Sequence, residues 1–215
     1  MFRHILFACL IIVGASVQAG RAVAGPIETI TVAGGCFWCV EADFEKVAGV
    51  TKAVSGYTGG SVRNPTYKQV SRGGTGHYEA VKIYFDSARV SRDKLYAMFF
   101  RSVDPTDAGG QFCDRGESYR TAIFVSDKAQ KASAEAAKAE AQAALGKTVV
   151  TPVLSAGQFY EAEDYHQDYY KGVNLVLTRF GPIKQSNAYK KYRDACGRDQ
   201  RVRQLWGGAA PFAGG

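Results

Sequence analysis

The residues best suited to chemistry lie in Gly-Cys-Phe-Trp-Cys-Val-Glu, residues 35–41, directly after a second glycine, Gly34. Cys36 opens a helical pattern in which Phe37, Val40, Phe44 and Val47 recur and Gly49 supplies a stop. A thiol at a helix start lies beside unpaired backbone N–H groups and the positive end of the dipole, which predicts a stabilised and therefore nucleophilic thiolate. Phe37 and Trp38 follow at once and can wall a small apolar pocket. For a lone cysteine, burial on a core helix is the plainer reading. The flanking glycines and the second thiol, Cys39, favour chemistry.

Glu79 is the second candidate. Between Tyr78 and Phe85 the alternation places Glu79, Val81, Ile83 and Phe85 on one side of a strand and Lys82 and Tyr84 on the other. A carboxyl at the head of an apolar face is desolvated, and that favours the neutral, proton-donating form. The pattern speaks equally for a strand-end Glu that turns to solvent or pairs with a lysine. Tyr67, in a loop after Pro65, and Tyr119, at a strand entry, stand where a hydroxyl can face a cleft, although most of the twelve tyrosines should serve packing.

These groups need a frame. Strands are expected over 28–33, 50–57, 78–85 and 119–125, with the Cys36 helix after the first. A Gly-, Ser- and Pro-rich loop over 58–76 carries Tyr67. Ser91 caps a helix containing Leu95, Met98, Phe99 and Val103, stopped by Asp104-Pro105. Asp127 and Gln130 form the signature of a capping box for an Ala/Lys/Glu helix that ends at Gly146 and is polar around most of its circumference. The order β-α-β-β-α-β predicts an α+β domain with a ferredoxin-like two-layer α/β sandwich and long peripheral loops.

The heptapeptide resembles a known family, the peptide-methionine (S)-S-oxide reductases of the A type. SGYTGG (55–60), NPTY (64–67), TGHYEAV (75–81), DRGESYR (114–120) and AEDYHQDYY (162–170) follow in that family's order. The resemblance implies the same core fold and thiol-dependent reduction of methionine S-sulfoxide, protein-bound and free, without metal or organic cofactor. It implies Cys36 as nucleophile, Glu79 as acid, Tyr67 and Tyr119 as donors to the sulfoxide oxygen, and Asp114 as a polar partner. Phe37 and Trp38 would hold the methyl group. Cys36 would end as a sulfenic acid, condense with a second thiol and be recycled by a thioredoxin-like reductant. His77 and His166 are expected to be structural supports.

The chain departs from the commonest pattern of that family where Cys39 replaces a Gly, where Cys113 replaces an Asn, and in a missing Gly-Tyr-Cys segment after AEDYHQDY. A tail, Cys196 to Trp206, follows instead. The resolving thiol is therefore expected first at Cys196, on a mobile tail. Cys39 is second, because it should reach Cys36 only by distorting the helix, and Cys113 is third. A single CxxC with two isolated cysteines is a poor zinc site. The competing functions are a thioredoxin-like dithiol oxidoreductase using Cys36 and Cys39, and a zinc- or disulfide-stapled binding module.

The first 24 residues read as an export signal. Arg3 and His4 precede the apolar run Ile5–Val13, which contains Cys9, and small residues allow cleavage after Ala19 or Ala24. Cleavage after Ala24 removes Arg3 and Arg21 and no acidic group, lowering the net charge from +7 to +5. The expected product, residues 25–215, is one periplasmic or secreted reductase domain, a monomer without stable membrane association. Its mild, scattered basicity comes with no nucleic-acid-binding signature, which excludes that partner.

Overall fold

The computed structural model describes residues 25–214, so the expected signal over 1–24, with Cys9, lies outside the described residues. In chain order the elements are β1 (Ile27–Gly34), α1 (Phe37–Phe44), β2 (Val50–Thr58), α2 (Tyr67–Arg72), β3 (Tyr78–Asp86), α3 (Arg92–Phe100), β4 (Gly110–Gln111), β5 (Asp114–Arg115), β6 (Thr121–Val125), α4 (Lys128–Leu145), β7 (Val153–Ser155), β8 (Tyr160–Glu161), β9 (Leu175–Thr178), β10 (Gly181–Lys184), α5 (Gln185–Ala195) and α6 (Arg198–Trp206). The result is a mixed α/β fold around a six-stranded sheet of order β7-β6-β1-β3-β2-β8. The four expected strands form its middle and pair antiparallel. The sheet is wider than a four-stranded sandwich, because β7 adds parallel to β6 and β8 antiparallel to β2. No helix of the described residues is long and apolar enough to cross a membrane.

Alternation decides the layers. Ile30 and Val32 of β1 and Val81, Ile83 and Phe85 of β3 are buried with Phe37, Val40 and Phe44 of α1, Leu95, Phe99 and Phe100 of α3, and Ala134, Ala137 and Ala141 of α4. Ala33, Ala80, Ala122 and Phe124 point the other way, under Leu154 and Phe159 of the peripheral chain. Helix signals acted as expected at Ser91, whose side chain accepts from Lys94 N, and at Gly146, a left-handed C-cap. Asp127 accepts from Gln130 N, but the Gln130 side chain reaches back to Ser126 N instead of closing the box. Four details differ from expectation. α1 stops at Phe44, so Val47 packs from a turn. Val103 likewise lies beyond α3, and the 58–76 loop contains the short helix α2, with Tyr119 in a turn ahead of β6.

The largest departure is the tail, which is folded and not mobile. The Arg198 guanidinium is fully enclosed, donating to Gly34 O at 3.1 Å and Ser102 O at 3.0 Å. Asp43 on α1 meets Arg193 at 2.9 Å, with Arg198 at 3.9 Å. Trp206 and Phe212 join the main core. Cys196, the residue after α5, is disulfide-bonded to Cys113, 83 positions earlier. Removing Arg198 would leave two carbonyls unpaired and Asp43 less well compensated in a dry site, where breaking a buried pair costs about 3–5 kcal/mol. Arg198→Ala is therefore expected to lose that much in urea unfolding, while Arg203→Ala, on the exposed side of α6, changes stability by less than about 0.5 kcal/mol.

Candidate active site

Gly34 and Gly35 allow the turn from β1 into α1. Gly35 has φ +79°, and a Cβ there would lie 2.5 Å from Cβ of the buried Gln111. The β1–β3 register runs to Val32 opposite Val81, so the chain passing Gly34 reaches the level of Glu79. The first helical amide, Phe37 N–H, donates to Glu79 Oε2 at 3.1 Å. Glu79, Cys36 and Cys39 are all buried.

Cys36, Phe37, Trp38, Tyr67, Glu79, Asp114 and Tyr119 line one cavity of about 470 Å³, so the residues expected at the site converge. Burial pushes the Glu79 carboxyl up to about 8, reinforced by the Asp114 and Cys39 charges and opposed by the Phe37 amide and the Tyr119 hydroxyl. Burial also raises the hydroxyls of Tyr119 and Tyr67, which lie in mutual contact, so both stay protonated donors. Asp114 is raised by burial too, and accepts from the Tyr192 hydroxyl.

Cys36 corrects one expectation. Its thiol is pushed well above the ordinary range, first by its hydrogen bond with Cys39, then by burial and by the Glu79 and Asp114 carboxylates. The helix start does not reverse this, because its Phe37 amide is committed to Glu79. Cys39 is lowered by the same bond and by Arg198 and Arg193 on its far side. Cys36 has ψ 116°, outside the helix, and its thiol lies in hydrogen-bond contact with Cys39 while both remain free. The structure places Cys196 elsewhere, against Cys113, and not beside Cys36.

Aromatic groups make the apolar wall. Trp38 stacks on Tyr169 at 3.8 Å between ring centroids, and its indole N–H donates to His166 Nδ1 at 3.1 Å. That bond makes Nδ1 the acceptor, and burial lowers His166 to about 4, so the ring is a neutral prop for Trp38. His77 is likewise a support, accepting from Gly60 N and contacting Val62 O through Nε2. Tyr67 is fixed through its backbone N–H, which donates to Glu163 Oε1 at 2.8 Å. Sequence reasoning missed Tyr169, Tyr192 and the turn Thr178–Phe180, which complete the lining with Ala188. Only Tyr169 carried a signal, as part of a matched segment. Among the described residues, two clusters with metal-ligand spacing are otherwise engaged, one by the Cys113–Cys196 bond and the other, Glu41, Glu45 and Asp168, by Lys171.

Residues 28–208 match the family described as peptide methionine sulfoxide reductase. A relative of that name, MsrA 2 of Caulobacter vibrioides, is 47% identical over 207 residues, covering 95% of this chain and 97% of its own. MsrA 2 of Rhizobium meliloti is 48% identical over 182 residues, 85% of this chain and 84% of its own. Among solved structures, Mxr1 from Saccharomyces cerevisiae in reduced form aligns with a TM-score of 0.65 at 29% identity, over 67% of this chain and 84% of that one. Methionine sulfoxide reductase A of Corynebacterium diphtheriae gives 0.61 at 32% identity, over 67% and 74%.

The raised Glu79 carboxyl has two measurable consequences. Glu79→Gln should slow oxygen transfer in a single turnover by about 100-fold or more at pH 7, the range lost with a general acid. The same variant should be more stable than the parent. Between pH 4.5 and about 8 the unfolded chain ionises Glu79 while the folded chain keeps it protonated, so the parent loses stability as pH rises through that window. Urea unfolding across pH should show the difference opening from pH 4.5 to about 8 and staying flat on either side.

Proposed function

The chain belongs to the peptide methionine sulfoxide reductase family, and on that premise we propose that this pocket reduces the S epimer of methionine sulfoxide to methionine, in polypeptides and as the free amino acid. The observation that carries the reading is the shared cavity of Cys36, a protonated Glu79 and the Tyr67 and Tyr119 hydroxyls. The sulfoxide oxygen faces Glu79 and the two tyrosines, and the methyl group rests on Phe37 and Trp38. The Cys36 sulfur attacks the sulfoxide sulfur while Glu79 gives its proton to the oxygen, because oxide is a poor leaving group. The oxygen passes to Cys36, which becomes a sulfenic acid; the substrate sulfur gains two electrons, and the Cys36 proton replaces the one Glu79 gave. Asp114 supports the wall through Tyr192.

Resolution falls to Cys39 on this reading, a reordering prompted by its contact with Cys36 and by the engagement of Cys196 with Cys113. The Cys39 thiol expels the sulfenic hydroxyl as water, and a thioredoxin-like dithiol then reduces the Cys36–Cys39 disulfide. Cys196 can take this part only after its bond to Cys113 has been reduced. Strand order β6-β1-β3-β2, antiparallel throughout, supports a ferredoxin-like core. The basic start and apolar run before residue 25 support cleavage and a periplasmic or secreted location for residues 25–215.

Cys36→Ser is expected to abolish turnover of the S epimer, and the R epimer should be inert with the parent. Substantial activity in the variant removes Cys36 from the nucleophile role. Peptide mapping after one turnover should find Cys36 joined to Cys39, and Cys196→Ser should still cycle with a thioredoxin-type donor. A dominant Cys36–Cys196 bond would return the resolving role to the tail.

A further inference from the structure

The hairpin β9–β10 reaches the pocket at its turn, where Thr178, Arg179 and Phe180 form one wall. Its two faces differ. Val176 and Ile183 are half-buried against the cluster that contains Cys36, Tyr169 and Tyr189. Leu175 and Leu177 alternate to the opposite face and are 73% and 87% exposed, with Val173 just before them at 72%. The register sets Leu177 opposite Pro182 and Leu175 opposite Lys184, so the outer face is apolar at the turn end, with one lysine at its far end. Four of the seven large apolar side chains exposed among the described residues fall within 173–180. Scattered exposed leucines need no explanation, but a contiguous patch beside a binding cleft does.

We propose that this outer face docks the polypeptide carrying the sulfoxide, an extended segment with apolar side chains next to the oxidised methionine. The proposal rests on the reductase reading above. What selects this occupant is continuity. A sulfoxide beside Cys36 leaves its own backbone at the pocket mouth, and the Thr178–Phe180 turn is part of that mouth. An extended chain rises about 3.3 Å per residue, so its second to fourth residues beyond the sulfoxide reach the level of Leu177 and Leu175. The turn contacts α5, with the Lys191 ammonium 5.4 Å from the centre of the Phe180 ring and the Arg179 guanidinium at 4.8 Å. A free methionine sulfoxide is small enough to lie wholly within the 470 Å³ pocket and has no flanking residues to reach the outer face. Methionines buried in a folded core, where neighbours are apolar, are the residues whose sequence context this surface fits once the core is opened.

The test compares kcat/KM for three substrates: a pentapeptide with S-sulfoxide flanked by leucine and valine, one flanked by serine, and free methionine S-sulfoxide. The parent should prefer the apolar peptide over the serine peptide by about tenfold, mainly through KM. The double variant Leu175→Ser/Leu177→Ser should lower that ratio about five- to tenfold, the size of losing about 40–55 Å² of apolar contact. Leu175→Ile/Leu177→Met, which keeps an apolar face, should retain the preference and so shows that reshaping the hairpin is not the cause. A ratio near one in the parent, or an unchanged ratio in the serine variant, overturns the docking surface while leaving the reductase reading intact. Failure of the parent to reduce any of the three overturns both.

Discussion

A single hydrogen bond, from the Phe37 amide to the Glu79 carboxyl, joins the two halves of the chemistry. It ties the start of α1 to the start of β3 across 42 positions of sequence and does so in a dry environment. Much else follows from it. The glycine pair exists so that the chain can turn closely enough for that amide to face the strand. The carboxyl keeps its proton because one amide and a tyrosine hydroxyl are too little to offset desolvation. The amide that might have eased ionisation of Cys36 is occupied, so the nucleophile rests as a thiol. The protonated carboxyl and the neutral thiol thus depend on the same contact, and folding stability is sacrificed to keep a carboxyl where water cannot reach it.

Behind this site lies a second electrostatic layer. Asp43, Arg193 and Arg198 form a buried cluster on the side of Cys39 that faces away from the pocket. The acidic side chains Glu79 and Asp114 lie toward Cys36 and guanidinium groups approach Cys39, so negative charge is favoured on the inner sulfur of the pair. That gradient suits the resolving role proposed for Cys39, in which it attacks its neighbour once the neighbour has been oxidised.

Legibility in the sequence followed the range of the interactions. Cys36, Glu79 and the strands around them could be read because glycine spacing and period-two alternation are local signals. The pocket tyrosines became visible through the ordered motifs of a family and not through pattern. Three features were hidden for physical reasons. Arg198 stands in a run of basic residues that reads as a solvated face, yet two backbone carbonyls from distant elements make its burial favourable. The pairing of Cys113 with Cys196 depends on α5 folding back, which no spacing specifies. The β9–β10 hairpin turns at Arg179-Phe180, without the Asn-Gly or Asp-Gly signature of a tight hairpin.

The Cys113–Cys196 bond also fixes how the molecule can come apart. It closes a covalent ring that contains β6, α4, the outer strands of the sheet, the pocket aromatics of residues 160–170 and the hairpin. Loop-closure entropy for a ring of this size amounts to about 4.5 kcal/mol on the chain-entropy account. A protease that cut once inside the ring, for example at the exposed stretch near Val173, would release no fragment. Both sides of the cut would remain joined through the sulfurs, with each still anchored to the sheet or to Asp43, so a nicked molecule could keep its shape in surroundings where cleavage is frequent.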